Sequence, residues 1–235
     1  MNVGMKNIWN SLIFGITYFP NTVRLVLVPL GVGLLLGSLI ALIRVYRIPF
    51  FDKFFAAFIA VYQGIPLVVA LMVYNLIFTM KFNDIAQALH LSVRVADVDT
   101  IWVGVFALSL EAICGMAETI KGALLSIDRG QSEAGYSVGL TKVQTMRRII
   151  LPQVVPIVIP SLLNNMIGLL KGSSIAMAIG ITEILSGALI PASKTYAFFE
   201  GYLAAAIIYW ILSIAIEYLA GVLMHRTGKY RRKLA

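Results

Sequence analysis

Gln131-Ser-Glu-Ala-Gly-Tyr-Ser-Val-Gly-Leu-Thr-Lys-Val-Gln-Thr-Met-Arg-Arg-Ile-Ile-Leu-Pro152 is a polar, charge-bearing stretch set between long apolar runs. A bilayer gives no solvation reason to keep a structured, glycine-punctuated pair of helices on one face. The stretch therefore reads as a docking surface for a soluble partner. Gln131, Ser132 and Glu133 are suited to open a short helix, with the carboxylate near the positive end of its dipole. Gly139 supplies a turn at which a side chain would clash or φ must be positive. Thr141 is placed to cap a second helix that runs through Arg147 and Arg148 into the next apolar run. An ordinary cytoplasmic loop is the competing reading of the same residues.

The surroundings of that stretch belong to a membrane. Residues are 60% hydrophobic and 13% charged, and mean hydropathy is +0.89, outside the range of soluble domains. Crossing the hydrocarbon takes roughly 20 apolar residues per helix. The chain offers five such runs, at 23–43, 54–80, 101–120, 149–181 and 202–224. The expectation is an all-α membrane protein with a single domain over 1–235, its polar loop at 126–148. Short alternating strands, the mark of a transmembrane barrel, are not the pattern. The single Cys114 lies within the third run and has no partner for an intramolecular disulfide.

Basic residues divide unevenly among the loops, which orients the chain. Arg44, Arg47 and Lys53 follow the first run; Arg129, Lys142, Arg147 and Arg148 follow the third; Arg226, Lys229, Arg231, Arg232 and Lys233 follow the fifth. On the other side Lys81 and Arg94 are outnumbered by Asp84, Asp97 and Asp99, and Lys194 lies between Glu183 and Glu200 in a segment read as a loop. The N-terminus is expected outside and the C-terminus in the cytoplasm. Ile8 to Phe19 resembles a signal-peptide core poorly, with one preceding charge at Lys6 and no small-residue cleavage site. Ile8, Trp9, Leu12, Ile13, Ile16 and Phe19 share a side, with Asn7 and Asn10 on or near the other. This predicts an interfacial helix along the outer leaflet, packed against the bundle.

A constellation for catalysis is missing. His90 and His225 lie at opposite ends of the topology, so one chain cannot build a multi-histidine metal site. Gly228-Lys229 ends like a phosphate loop, but Tyr230 replaces the needed Ser or Thr and Leu223 the first Gly. Any ATP hydrolysis must occur on another subunit.

Glu133-Ala134, Gly139 and Ile149-x-Leu151-Pro152 match the Glu-Ala-Ala, Gly and Ile-x-Leu-Pro spacing by which permease subunits of binding-protein-dependent ABC importers grip their ATPases. Gly135 departs from the second Ala and lowers helix propensity while staying small. Three further segments resemble the polar amino-acid uptake branch of that family. Gln63-Gly64-Ile65-Pro66-Leu67 is similar to its Arg-Gly-x-Pro-Leu, Glu118 with Lys121-Gly122 to its Glu-x-x-Arg-Gly, and Leu169-Leu170-Lys171-Gly172-Ser173-Ser174 to its Leu-Leu-Lys-Asp-Thr-Ser. The resemblance implies a type I ABC importer-like fold in a bacterial cytoplasmic membrane. It implies a second permease subunit, identical or related, two cytoplasmic ATPases that carry ATP and Mg, and an extracytoplasmic amino-acid-binding protein. It implies no cofactor on this chain. Coupling to the ATPase falls to Glu133, Ala134, Gly135, Gly139 and Leu140. The pathway candidates are Gln63, Gly64, Pro66, Glu111, Glu118, Lys171, Ser173 and Ser174. Gln63, Gly172, Cys114-Gly115 and Pro156 depart from the family's usual Arg, Asp, Ala-Tyr and basic residue.

Physical chemistry singles out some of the same positions. Glu111, Cys114, Gly115, Glu118 and Gly122 recur at helical spacing. Carboxylates at membrane depth are costly and should face a cavity or a partner. Glu118 has a second reading, an interfacial pair with Lys121. Pro152, Pro156 and Pro160 each remove a backbone donor and predict a kinked or re-entrant start to the fourth run. Asn164, Gly168, Lys171 and Gly172 share a face suited to a subunit contact or a pathway. The alternatives are an ion-coupled secondary transporter or a channel subunit using Glu111 and Glu118. Five spans give no inverted pair for the first, and no filter-like loop marks the second.

Overall fold

The computed structural model describes the backbone of residues 4–231 and side chains as far as Val222. Gly228-Lys229 and the basic group Arg226, Lys229, Arg231, Arg232 and Lys233 lie outside the described side chains. Among the described residues every regular element is helical. Five helical runs are long and apolar enough to cross a membrane: Phe19–Val45, Leu67–Ala88, Ile101–Leu125, Lys142–Ile179 and Phe198–Val222.

Two of these runs, α2 (Phe19–Val45) and α5 (Ile101–Leu125), form the central pair. Glycine sets their separation. A Cβ on Gly33 would lie 2.7 Å from the Ala112 Cβ and 2.8 Å from its carbonyl carbon, and one on Gly37 would lie 2.7 Å from the Met116 Cβ. Backbones that approach this closely gain dispersion contacts, which replace the hydrophobic drive that lipid cannot supply. Leu25, Leu108, Ala112, Leu163, Leu170 and Ile216 then join the pair to α8 (Leu151–Ser173) and α10 (Phe198–Arg231) in one apolar core.

The second apolar run is not one helix, contrary to its reading as a span over 54–80. It divides into α3 (Phe51–Gln63) and α4 (Leu67–Ala88) at Gly64-Ile65-Pro66. Pro66 has no N–H to continue α3 and disfavours helical backbone at Ile65. It caps α4 from an extended conformation, φ −58 and ψ 133. α4 continues beyond Met80 because Phe82, Ile85 and Ala86 keep it apolar.

The segment read as a loop between the last two runs contains a helix, α9 (Ile184–Thr195), and this corrects that reading. Glu183 caps it. The carboxylate accepts from the Ser186 N–H at 3.0 Å, and the Ser186 hydroxyl accepts from the Glu183 N–H at 2.8 Å. At the other end of the chain α1 (Met5–Thr17) packs on α9 and α10. Its buried face is small, Ser11 and Gly15, while Trp9, Ile13 and Ile16 point outward. The outward face is the apolar one expected of an interfacial helix.

Residues 142–179 form one helical run, composed of α7 (Lys142–Thr145), a π turn at Met146–Ile150, α8 and a 3-10 turn at Ser174–Ile179. The π turn falls where Pro152 withdraws a donor. Gln153 compensates nearby by donating its side-chain amide to the Ile149 carbonyl at 2.8 Å. Pro156 and Pro160 lie inside α8.

Candidate functional site

The polar stretch folds as α6 (Arg129–Ser137), a tight turn, and α7. Asp128, not the Gln131 to Glu133 group, opens α6: its carboxylate accepts from the Gly130 N–H at 2.7 Å. Glu133 is therefore exposed in the second turn of the helix and outside its N-terminal first turn, a correction to its reading as the charge at the helix start. Gly139 has φ +80, and no atom lies within 4 Å of where its Cβ would be. Of the two reasons for a glycine there, backbone conformation holds and a clash does not. The Gly139 and Leu140 N–H groups return to the carbonyls of Tyr136 and Gly135, each at 3.0 Å, closing the end of α6. Thr141 caps α7 as expected, its hydroxyl accepting from the Gln144 N–H at 3.3 Å and the Gln144 side chain accepting from the Thr141 N–H at 2.9 Å.

Gly135 answers a specific neighbour. A Cβ there would lie 2.8 Å from the Thr145 γ-methyl and 3.1 Å from the Ile149 side chain, so Thr145 fills the space that an alanine methyl would take. Ala134 stays exposed and Leu140 is half-buried. Val138 and Val143 are 74% and 76% exposed beside this turn, an apolar patch on an otherwise polar helix pair.

The pathway candidates separate into three places. The first is a cavity of about 340 Å³ between α5 and α8, within the size range of small-molecule sites. Leu108, Glu111, Ala112 and Gly115 line it from α5, and Asn164, Asn165, Gly168 and Leu169 from α8. Leu67 at the start of α4 completes it. Glu111 is the one ionisable group among these lining residues. Asn165 is held by donation to the Ser161 carbonyl at 2.9 Å. Gln63, Gly64 and Pro66 are exposed at the α3–α4 break, immediately before Leu67.

The second place is the far end of α8. Ser173 is fully buried and donates to the Leu170 carbonyl at 2.7 Å, and Ser174 donates to the Lys171 carbonyl at 2.7 Å. Both hydroxyls serve their own helix, and Lys171 is exposed. Gly172 is buried against Leu67 and Leu108. The third place is Glu118, which pairs with Arg44 of α2 and not with Lys121. The correction has a simple cause: α2 brings a buried guanidinium to that flank of α5.

Sequence reasoning missed Glu183, which is fully buried and hydrogen-bonded by the Tyr209 hydroxyl. Thr22 and Asn21 of α2 bind the same corner, through the Ile184 N–H at 3.3 Å and the Thr182 carbonyl at 2.8 Å. Glu183 and Ser186 cap α9 reciprocally in the reverse of the usual Ser/Thr-x-x-Glu order, so the letters carried no standard capping signal.

Comparison with known proteins bears on these surfaces. Residues 33–229 match the family described as "Binding-protein-dependent transport system inner membrane component". The chain is 36% identical over 193 residues to the Vibrio harveyi protein named "Probable amino-acid ABC transporter permease protein PatM", covering 82% of each. It is 30% identical over 229 residues to the L-cystine transport system permease protein TcyB of Bacillus subtilis, covering 97% of this chain and 91% of that one. Among solved structures, an amino acid ABC transporter with histidines superposes with a TM-score of 0.79 at 28% identity, over 96% of this chain and 100% of its own. The MetNI methionine ABC transporter shares the fold, with a TM-score of 0.71 at 17% identity over 95% and 99%. With helical spans, a glycine-closed helix pair and this match over most of its length, the chain belongs to the inner membrane components of binding-protein-dependent ABC transport systems.

Proposed function

We propose that this chain is the membrane subunit of an ATP-driven importer that moves a polar amino acid through the cavity between α5 and α8. The observation that carries the reading is the cavity itself, which combines a single carboxylate, Glu111, with the amides of Asn164 and Asn165. A carboxylate takes an ammonium group, and side-chain amides satisfy polar groups of either kind. Names borne by relatives, which include amino-acid and L-cystine transport permeases, support the substrate class.

Energy comes from elsewhere. ATP and Mg bind partner ATPases that dock on the α6–α7 turn through Glu133, Ala134, Gly135, Gly139 and Leu140. An extracytoplasmic binding protein delivers substrate, and a second permease, identical or related, completes the membrane unit. The distribution of Lys and Arg supports an external N-terminus and a cytoplasmic 126–148 loop and C-terminus.

The test is uptake by proteoliposomes containing the chain, its second permease, the ATPase and the binding protein. Uptake of a polar amino acid that vanadate abolishes, and that Glu111→Gln strongly reduces, is the expected result. Full uptake by Glu111→Leu would remove the cavity from the pathway. Vanadate-insensitive uptake driven by an ion gradient would replace the importer with a secondary transporter.

A further inference from the structure

Arg44, in the last turn of α2, is buried to 9% exposure and faces two carboxylates on different helices. One guanidinium nitrogen bonds Glu118 of α5. The Nε bonds nothing and lies 4.0 Å from Asp52 in the first turn of α3, beyond hydrogen-bond reach. A guanidinium offers five donors in a planar fork. Leaving one of them buried and unpaired disfavours this arrangement, and Asp52 is the carboxylate that lies next to the free donor.

The helix that carries Asp52 is the one able to make that change. α3 ends at the Gly64-Ile65-Pro66 break. It begins after a turn in which Arg47 and Phe50 hold φ of 50 and 69, left-handed values uncommon for such side chains. Both ends of α3 are thus interrupted, whereas α2 and α5 are locked together at Gly33 and Gly37.

Glu118 lies below the cavity on the same face of α5 as Glu111. Seven residues separate them, about 10 Å along a helix and within about 20° of one direction. Gly115 between them lines the cavity, and beyond Glu118 no atom lies within 4 Å of where a Cβ on Gly122 would be. An ammonium group leaving Glu111 along this face meets Glu118 as its next acceptor, and Arg44 occupies that acceptor.

We propose that Arg44 is a switchable counter-ion: bound to Glu118 it closes the route out of the cavity, and passing to Asp52 it frees Glu118 for the substrate's ammonium group. The proposal rests on the importer reading above. Arg44 acts as a positioning residue whose two partners have opposite roles. Glu118 holds the switch closed and Asp52 draws it open.

The experiment uses the complete reconstituted transporter and measures both amino-acid uptake and ATP hydrolysis without substrate. Glu118→Gln removes the closed-state partner. Substrate-free hydrolysis should then rise about fivefold or more, the low end of coupling between linked sites, and uptake per ATP should fall. Asp52→Asn removes the open-state partner. Uptake should slow by a similar factor while substrate-free hydrolysis stays low. Arg44→Lys, which keeps the charge and loses the fork, should lie between wild type and Arg44→Gln.

Opposite directions for the two carboxylates distinguish a switch from a mere structural tie. Equal effects in the same direction, or wild-type values of both readouts for Asp52→Asn, would overturn it. Asp52 is partly exposed, so its variant keeps the test decisive if Glu118→Gln does not assemble. Failure of wild-type protein to take up any amino acid strikes the importer reading instead.

Discussion

Replacement of Gly139 tests the turn between α6 and α7 by conformation alone. With φ at +80 and nothing within 4 Å of its Cβ position, the residue faces a torsional demand and no crowding within the chain. Left-handed backbone costs an L-residue about 1–2 kcal/mol, which is a factor of roughly 5–30 in the population of the closed turn. Asn visits this region most readily, and β-branched Val least. If the ATPase binds the closed turn, its apparent affinity falls by the lost fraction. A titration of purified ATPase against the detergent-solubilised permease should therefore rank Gly139, then Asn, then Ala, then Val. Asn is larger than Ala, so the ranking separates torsion from volume. An order that follows side-chain size, with Ala binding better than Asn, would show that the ATPase itself fills the space, and the torsional argument would be wrong.

Three other outcomes are expected. Gly33→Ala should destabilise the α2–α5 pair by about 1–3 kcal/mol, because its methyl meets Ala112 backbone atoms that cannot yield; Gly168→Ala, with open space around it, is the control in a thermal-melt comparison. Glu183→Ala should orphan the Ser186 N–H and the Tyr209 hydroxyl at about 1–3 kcal/mol each. Paired with Tyr209→Phe in a double-mutant cycle, it should show clear non-additivity, and strict additivity would mean that the bond is not formed. Thr141→Ala should lose about 1 kcal/mol of capping, read as faster hydrogen exchange of the Gln144 amide.

How far the sequence foretold this arrangement depended on whether a feature was local. α2, α5 and α10 were visible as uninterrupted apolar runs, and Thr141 and Gly139 announced their caps through residue type. The break at Gly64-Ile65-Pro66 was present in the letters, but membrane helices tolerate proline, so the run was read through it. α9 was hidden by Pro191 and Lys194 within it and by Glu183 before it, charges that look like a loop until the carboxylate is seen bonded to Tyr209 on α10. Arg44 was counted as part of a charge asymmetry. Its partner Glu118 lies on another helix, and periodicity assigns a residue to a face without saying which helix that face meets. The spacing between Gly135 and Thr145 was legible, but their contact required the turn to fold back first.

The helical run from Lys142 to Ile179 ties the α6–α7 turn to the cavity wall in a single piece of backbone. Its three prolines, Pro152, Pro156 and Pro160, lie between the turn and Asn164, so the run has a soft joint partway along. Above that joint Leu163, Leu169 and Leu170 are fixed in the core. Below it Ile150 and Val154 are packed against Ala41, Met116 and Leu124, so the run is held by the bundle on both sides of the joint. A displacement of the turn would thus reach the cavity wall through continuous backbone and packed side chains together, with the missing hydrogen bonds at the prolines setting where the run bends.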